Sequence, residues 1–337
     1  MGGEVLSAYK VDTDLARVAL AGLMEQYLVI APVMEDNKPV YAAAVDAGDI
    51  VLGDGLPYKS PKEVVFPAVE DIMRFRGDRV EAAQDAVPVL LVGAKPCDVA
   101  AIKVFDEVFT GDKGRFKDNF YGNRRDCLTV VGMACAEKKP GCFCDERGID
   151  PAFSPDCDGF LTPADDGFIY EALTEKGEGL FAGAETAPVR SGGPQAERLA
   201  VNASESAVFE AMPWESYADG CIGCGSCTYI CPTCHCFNLR DASYKDVVTR
   251  TRVWDSCMFP RFTLHAGGHN PRTKKYERFR QRVLHKYLYI PENYGHIACT
   301  GCGRCIRSCP GGLNIRNTVS DIMRRLAETE KSEGAEK

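Results

Sequence analysis

A short cysteine pattern occurs twice in this chain and restricts its fold more than any other feature. The first copy runs from Cys221 to Cys231 and the second from Cys299 to Cys309. Each copy is spaced C-x2-C-x2-C-x3-C and is followed directly by a proline. Two matching copies are hard to obtain by chance, and the spacing is typical of loops that hold [4Fe–4S] clusters in bacterial-type ferredoxins.

The spacing suits the chemistry of such a cluster. A cage of iron and sulfide takes soft thiolate ligands, and three closely spaced cysteines on a short loop can cover one side of it. In two-cluster ferredoxins the fourth cysteine of each motif binds the other cluster. We therefore predict one cluster on Cys221, Cys224, Cys227 and Cys309, and a second cluster on Cys299, Cys302, Cys305 and Cys231.

Zinc is the alternative metal for a cysteine-rich loop. Structural zinc sites usually take their ligands as two separated pairs, such as two C-x2-C motifs. Two triplets, each with a trailing cysteine and proline, do not follow that pattern and favour iron–sulfur clusters over zinc or plain thiols.

Composition narrows the functional class. The chain has 337 residues, enough for two domains, and its net charge of −8 argues against a general nucleic-acid binder. Its apolar runs, such as 86–94, are too short to span a bilayer, and the N-terminus shows no secretory signal. We therefore expect a cytoplasmic protein without a membrane span, in which the 17 cysteines are reduced rather than paired as disulfides.

The first two hundred residues alternate between strand-like and helix-like segments. Strands are predicted at 27–33, 39–45, 87–94 and 128–133, and helices after Thr13, after Ser60 and over 98–109. The alternation predicts an α/β domain over 1–205. It is followed by an α+β two-cluster ferredoxin-like domain over 206–327, with a long insert at 232–298, and by a flexible tail at 328–337.

Four further cysteines lie in the predicted α/β domain. Cys97 and Cys135 follow two predicted strands, and Cys142 and Cys144 form a C-x-C pair. Ends of sheet strands are common ligand sites in α/β folds. The residues alone leave two interpretations open, a third [4Fe–4S] cluster or four reduced thiols, because only the C-x-C pair is local.

The insert carries its own unexplained residues. Three cysteines there, Cys234, Cys236 and Cys257, belong to neither motif, and His235 among them is expected to pack rather than bind metal. The insert is also basic, with Arg272, Lys274, Lys275, Arg278, Arg280, Arg282 and Lys286 opposed only by Glu277. These cations either offset the charge of clusters or an acidic partner, or form an ordinary solvated helix face.

No catalytic signature stands out in the sequence. It contains no P-loop, GxGxxG, HExxH or serine-elbow motif, and nothing indicates a flavin or nicotinamide pocket. We predict no catalytic residue and favour an electron-transfer component of an oxidoreductase complex, leaving open whether the chain is itself an enzyme. The alternatives are a self-contained iron–sulfur enzyme, with a flavin or substrate site in the N-terminal domain, and a metal-stabilised binding module.

Several motifs together resemble one protein family. The chain is similar to the iron–sulfur electron-transfer subunits that include those of anaerobic sulfite reductase and the beta subunit of archaeal sulfhydrogenases. The motifs that carry the resemblance are GAKPCDVAAI at 93–102, CFC at 142–144, ICPTCHCF at 230–237, WDSC at 254–257, RQRVLHKY at 280–287 and CTGCGRCIRSCP at 299–310.

The resemblance implies a role and partners. It implies an electron carrier between two other components, a reductase subunit that binds flavin and nicotinamide, and a terminal reductase, hydrogenase or heterodisulfide-reductase-type subunit. It also implies a third [4Fe–4S] cluster on Cys97, Cys135, Cys142 and Cys144, because the family shares these cysteines.

Overall fold

The computed structural model describes residues 5–53, 55–82, 86–111, 116–188 and 199–335, and the fold has mixed α/β content. Its strands are β1 Ser7–Asp12, β2 Leu28–Glu35, β3 Lys38–Ala43, β4 Val69–Arg76, β5 Arg79–Ala82, β6 Val89–Ala94, β7 Leu128–Met133, β8 Gly159–Ala164, β9 Gly167–Ala172, β10 Ala184–Glu185, β11 Phe237–Tyr244 and β12 Val247–Trp254. Its α-helices are α1 Thr13–Leu23, α2 Pro96–Phe109, α3 Asn119–Asp126, α4 Glu205–Ala211, α5 Trp214–Tyr217, α6 Ser226–Tyr229, α7 Lys275–Leu284, α8 Ile290–Tyr294, α9 Arg304–Arg307 and α10 Ile315–Ala335.

The larger sheet has eight strands in the order β10-β1-β9-β8-β7-β6-β2-β3. Its four central strands, β8, β7, β6 and β2, are parallel, and the outer strands pair antiparallel. Side chains alternate between two cores, so that Leu90 and Val92 pack on one face and Leu91 on the other. Helix α1 covers the first face and α2 the second. Because β6 and β7 are adjacent and parallel, the segments that follow them begin at the same edge of the sheet.

The N-terminal helix begins one residue earlier than the sequence predicted. Asp12, not Thr13, is its cap, because the Asp12 carboxylate accepts a hydrogen bond of 2.8 Å from the Leu15 amide. Around Ser60 the expected helix is a single 3₁₀ turn, Pro61–Val64, and the Ser60 side chain makes no capping hydrogen bond. The four strands expected in this region are present, three with shifted bounds and the strand at 128–133 with the predicted bounds.

A second, four-stranded antiparallel sheet joins distant parts of the chain. Its order is β11-β12-β4-β5, so the hairpin of the 232–298 insert pairs with strands from residues 69–82. Arg252 of β12 is buried and forms an ion pair of 2.6 Å with Glu70 of β4. The insert is therefore packed onto the N-terminal half rather than extending away as a separate unit.

A third core lies beneath the cysteine motifs. It is built by α7 and α10, with Phe279, Val283 and Val319 buried against Trp214. Helix α10 continues to Ala335, so the segment expected to be a flexible tail is helical to that point, and 336–337 lie outside the described residues. Ion pairs four residues apart, such as Arg324 with Glu328, support this extension. No helix in the described residues is both long and apolar enough to cross a membrane.

Candidate iron–sulfur centres

The first predicted ligand set surrounds one cavity. Cys221, Cys224 and Cys227 of the first motif line it together with Cys309 of the second. Cys221 is buried, whereas Cys224 is exposed, so the cavity reaches the surface on one side. The fourth cysteine of the second motif thus faces the triplet of the first, as the crossed arrangement of a two-cluster ferredoxin requires.

The second predicted set also comes together. Burial raises the pKa of the Cys302 thiol to about 12, and the neighbouring Cys231 adds to the rise. The same two causes raise the pKa of Cys305, which also lies near Cys299. Cys231 of the first motif therefore lies among the triplet of the second.

Two glycines in the second motif allow another segment to approach. Gly301 has φ +64°, and a Cβ there would lie 2.6 Å from backbone atoms of Phe143. Gly303 has φ +67°, and a Cβ there would lie 2.4 Å from the Gly141 carbonyl oxygen. The Phe143 amide donates a hydrogen bond of 2.7 Å to the Gly301 carbonyl. Only glycine permits this contact, which brings the C-x-C loop of the N-terminal half against the second motif.

The surroundings of the two sets fit iron–sulfur clusters. The Arg282 Nε–H and the Thr300 hydroxyl are buried and have no hydrogen-bond partner in the described part of the chain. Cluster sulfur accepts bonds from such donors, and the soft thiol set suits iron–sulfide cages. Across the described ranges, no three His, Cys, Asp or Glu side chains converge as ligands of a single metal ion.

The four N-terminal cysteines, which the sequence could not place together, lie in one neighbourhood. Cys97 and Cys144 are buried side by side with Cys302. The pKa of Cys144 is raised to about 11, mainly by burial, and its neighbours Cys142 and Cys135 contribute to the rise. The Cys142 thiol donates a hydrogen bond of 3.3 Å to the Cys302 carbonyl. The group therefore adjoins the second predicted cluster set.

A buried ion pair fixes this neighbourhood. Arg304 stands between two cysteines of the second motif and is 1% exposed. Its guanidinium contacts both oxygens of Asp98, the residue after Cys97, at 2.5 and 2.8 Å. It also donates to the Pro57 carbonyl at 3.0 Å. The fork geometry holds the start of α2 against the second motif.

The insert cysteines form two contacts of their own. Cys234 shares a hydrogen bond with Cys231, and that contact lowers the Cys231 pKa despite its burial. Cys236 hydrogen-bonds with Cys257, which lowers the pKa of Cys236 to about 7. Cys234 therefore lies beside Cys231 of the second predicted set, and Cys236 and Cys257 lie beside each other.

The His235 ring packs among aromatic side chains, and Cys231 is among its electrostatic neighbours. Its ring meets Phe105 and Phe109 edge-on at 5.8 and 5.5 Å between centroids. Burial lowers its pKa to about 4, so the ring is neutral near pH 7.

The seven basic residues of the insert do not share one environment. Neither interpretation from the sequence, charge compensation or a solvated helix face, therefore applies to all of them. Arg278, Arg282 and Lys286 are spaced by four and buried, whereas Lys274 and Lys275 are exposed. Helix α7 continues through a π-helical turn, His285–Tyr289, so this spacing places the buried cations on the side that faces the motifs.

Two other cations near the motifs were not singled out from the sequence. Lys62 is 5% exposed and donates to the carbonyls of Tyr229 and Cys234 at 3.2 and 3.1 Å. Arg304 was missed because its partner Asp98 is distant in sequence. In the sequence, the four-residue spacing of Arg278, Arg282 and Lys286 was the one local feature that could have indicated a shared helix face.

Comparison with known proteins agrees with this geometry. Residues 220–313 match the family model described as a 4Fe-4S dicluster domain. The chain is also similar to "Sulfhydrogenase 2 subunit beta" of Pyrococcus furiosus, with 28% identity over 285 residues, covering 79% of this chain and 83% of that protein. No solved structure matches the chain at a significant level. The resemblance identified from the sequence motifs is confirmed.

Proposed function

We propose that this chain is an iron–sulfur protein of the sulfhydrogenase beta-subunit type and that it relays single electrons within an oxidoreductase complex. The observation that carries the proposal is the continuity of its cysteine sets. The first set adjoins the second through Cys305, which lines the same cavity, and the N-terminal set adjoins the second through Cys302. Bound [4Fe–4S] clusters supply one-electron redox chemistry.

We assign the ligands as the motif spacing predicts. Cys221, Cys224, Cys227 and Cys309 would hold the first cluster, and Cys299, Cys302, Cys305 and Cys231 the second. The crossed pattern is supported by the cavity that Cys309 shares with the first triplet and by the proximity of Cys231 to Cys302.

We further propose a third cluster on the N-terminal set, Cys97, Cys135, Cys142 and Cys144. Its support is the burial of Cys97 and Cys144 against Cys302, together with the proximity of Cys144 to the other two thiols. Three adjoining sets would form a path from the exposed Cys224, through the second set, to the edge of the eight-stranded sheet where β6 and β7 end.

Side chains around the first cavity shield it from water and leave one side exposed. Buried apolar side chains such as Phe279 and Met258 line the first cavity and exclude water from it. Exposure of Cys224 and of Ile222, which is 68% exposed, leaves one side open to a partner. The N-terminal α/β part, proposed as residues 1–205, would hold the third set, and residues 206–327 would form the ferredoxin-like domain.

The partners follow from the relative, which is by its name one subunit of a sulfhydrogenase. We propose that this chain lies between a reductase subunit that binds flavin and nicotinamide, on one side, and a hydrogenase-type or other terminal reductase subunit on the other. We place the complex in the cytoplasm, where thiols stay reduced and available as ligands.

The test is purification of the tagged chain from its own cells without oxygen, followed by spectroscopy. We expect a co-purifying flavoprotein, and we expect NADH or NADPH to bleach the cluster absorption of the complex. The isolated chain should be bleached by dithionite but not by either nucleotide.

Two results would contradict the proposal. Bound flavin and nucleotide-driven reduction in the isolated chain would mean a self-contained enzyme. Stoichiometric zinc without acid-labile sulfide would mean a metal-stabilised module without redox function.

A further inference from the structure

We propose that Arg282 is a shared potential-setting residue, whose single buried charge raises the reduction potentials of both C-terminal clusters together. The inference rests on the proposed function and its ligand assignment. It concerns a residue on α7, outside both cysteine motifs.

Arg282 lies where the two ligand sets meet. It lines the cavity of the first set together with Cys227 and Cys309, and Cys305 of the second set lines the same cavity. Its Nη2 donates a hydrogen bond of 3.4 Å to the Cys227 carbonyl. Cys231 of the second set is also among its electrostatic partners. One guanidinium thus contacts members of both sets.

One hydrogen-bond donor of the Arg282 side chain has no acceptor among the described residues. Its Nε–H is buried and has no hydrogen-bond partner within the described residues. The side chain is 4% exposed, so water does not compensate it over most of its surface. A free N–H at this position suits cluster sulfur, and hydrogen bonds to sulfur are one of the means by which proteins raise cluster potentials.

The charge of Arg282 faces thiols rather than a paired carboxylate. Its guanidinium lines one cavity with Cys227 and Cys305. Arg304 provides the contrast, because Asp98 contacts its guanidinium at both oxygens. Asp98 therefore compensates the charge of Arg304, whereas no ion pair among the described residues involves Arg282.

A fixed positive charge in a low-dielectric site favours the more negative state of its neighbour. Reduction adds one negative charge to a cluster, so Arg282 should stabilise the reduced form of each cluster that it faces. Lys286, unlike Arg282, should act on one cluster only. Its ammonium group donates hydrogen bonds to the Thr233 hydroxyl at 2.7 Å and to the Ala298 carbonyl at 2.8 Å. Its partners Cys231 and Cys299 both belong to the second set, so its effect should be confined there.

The experiment is a redox titration followed by EPR on the anaerobically purified protein, comparing wild type with Arg282→Gln. We expect the reduction equilibrium constants of both C-terminal clusters to fall at least tenfold, equivalent to about 59 mV for one electron. Arg282→Lys keeps the charge and should shift both constants less than threefold. Lys286→Gln should shift one cluster only.

Arg280→Gln is the matched control. Arg280 lies on the same helix, but its guanidinium stacks on the Phe209 ring at 3.5 Å and it does not line the first cavity. This variant should leave both constants unchanged while removing the same charge from the same helix.

The outcomes separate the claims. A shift in only one cluster or in neither, with wild-type iron content, would overturn the shared role of Arg282. Equal shifts in Arg282→Lys and Arg282→Gln would show that charge is not the cause. If the Gln variant loses iron, Arg282→Met, whose unbranched chain fills similar space, takes its place under the same criteria. A wild-type protein without iron would refute the proposed function itself.

Discussion

The C-terminal cysteines and the N-terminal cysteines reach their places by different routes. Eight C-terminal cysteines come from two short loops, and each loop supplies three of its four to one predicted cluster. The N-terminal four come from three segments, the start of α2, the end of β7 and the loop around Cys144. The first arrangement is specified by local spacing. The second depends on sheet order and on contacts between halves of the chain.

The comparison separates a ligand set that local sequence spacing predicts from one that only the folded chain brings together. In the first region a ligand can be lost without moving its neighbours, because the loop itself fixes the spacing. In the second region the same loss can follow from a change far from any cysteine. Four substitutions test that difference, in order of decreasing expected effect.

Cys309→Ser should have the largest effect, because it removes the proposed crossed ligand of the set that includes the exposed Cys224. We expect iron to fall by about four per chain, with equal loss of acid-labile sulfide. Cys127→Ser, outside every predicted set, is the control and should keep its iron. Unchanged iron in Cys309→Ser would mean that the crossed assignment is wrong.

Cys144→Ser should remove only the proposed N-terminal cluster. Cys144 has the other N-terminal thiols as neighbours, so its loss should release about four irons while both C-terminal EPR signals persist. Simultaneous loss of a C-terminal signal would indicate that Cys144 shares a cluster with Cys302.

Arg304→Met should act at a distance, by leaving the Asp98 carboxylate buried without its ion-pair partner. Breaking a buried ion pair costs about 3–5 kcal/mol, so urea unfolding should show a loss of that order. We expect the N-terminal irons to be lost before the C-terminal ones. The double variant Arg304→Met/Asp98→Asn should regain much of the stability. A single variant as stable as wild type would show that this pair does not hold the halves together.

Cys236→Ser should have the smallest effect on iron. Its thiol meets Cys257 and belongs to neither predicted set, so iron and sulfide should stay at the wild-type level. Iron loss in this variant would place the insert thiols among the ligands and require a new assignment of the second cluster.

The same comparison explains how far the sequence could be read. The crossed ligand sets, which stay a prediction, follow from spacing because thiol, glycine and proline positions act within one loop. The strand ends at Cys97 and Cys135 were recognisable, since buried runs of β-branched and aliphatic residues precede both. Their meeting with Cys144 was not, because it depends on the order of β6 and β7 and on Gly301 admitting Phe143.

The insert shows the limit most clearly. Its seven cations looked alike in the sequence, yet Arg282 and Lys286 are buried beside thiols while Lys274 is exposed. Helical spacing could have grouped the buried residues. It could not have shown which face meets the motifs, because that depends on how α7 packs against Trp214 and α10.

Iron and acid-labile sulfide per chain, measured on protein purified without oxygen, test the central claim most directly. Three adjoining clusters predict about twelve of each. About eight of each would leave the two motif-encoded clusters and remove the N-terminal one from the path. Zinc in place of iron, with no acid-labile sulfide, would contradict the whole account.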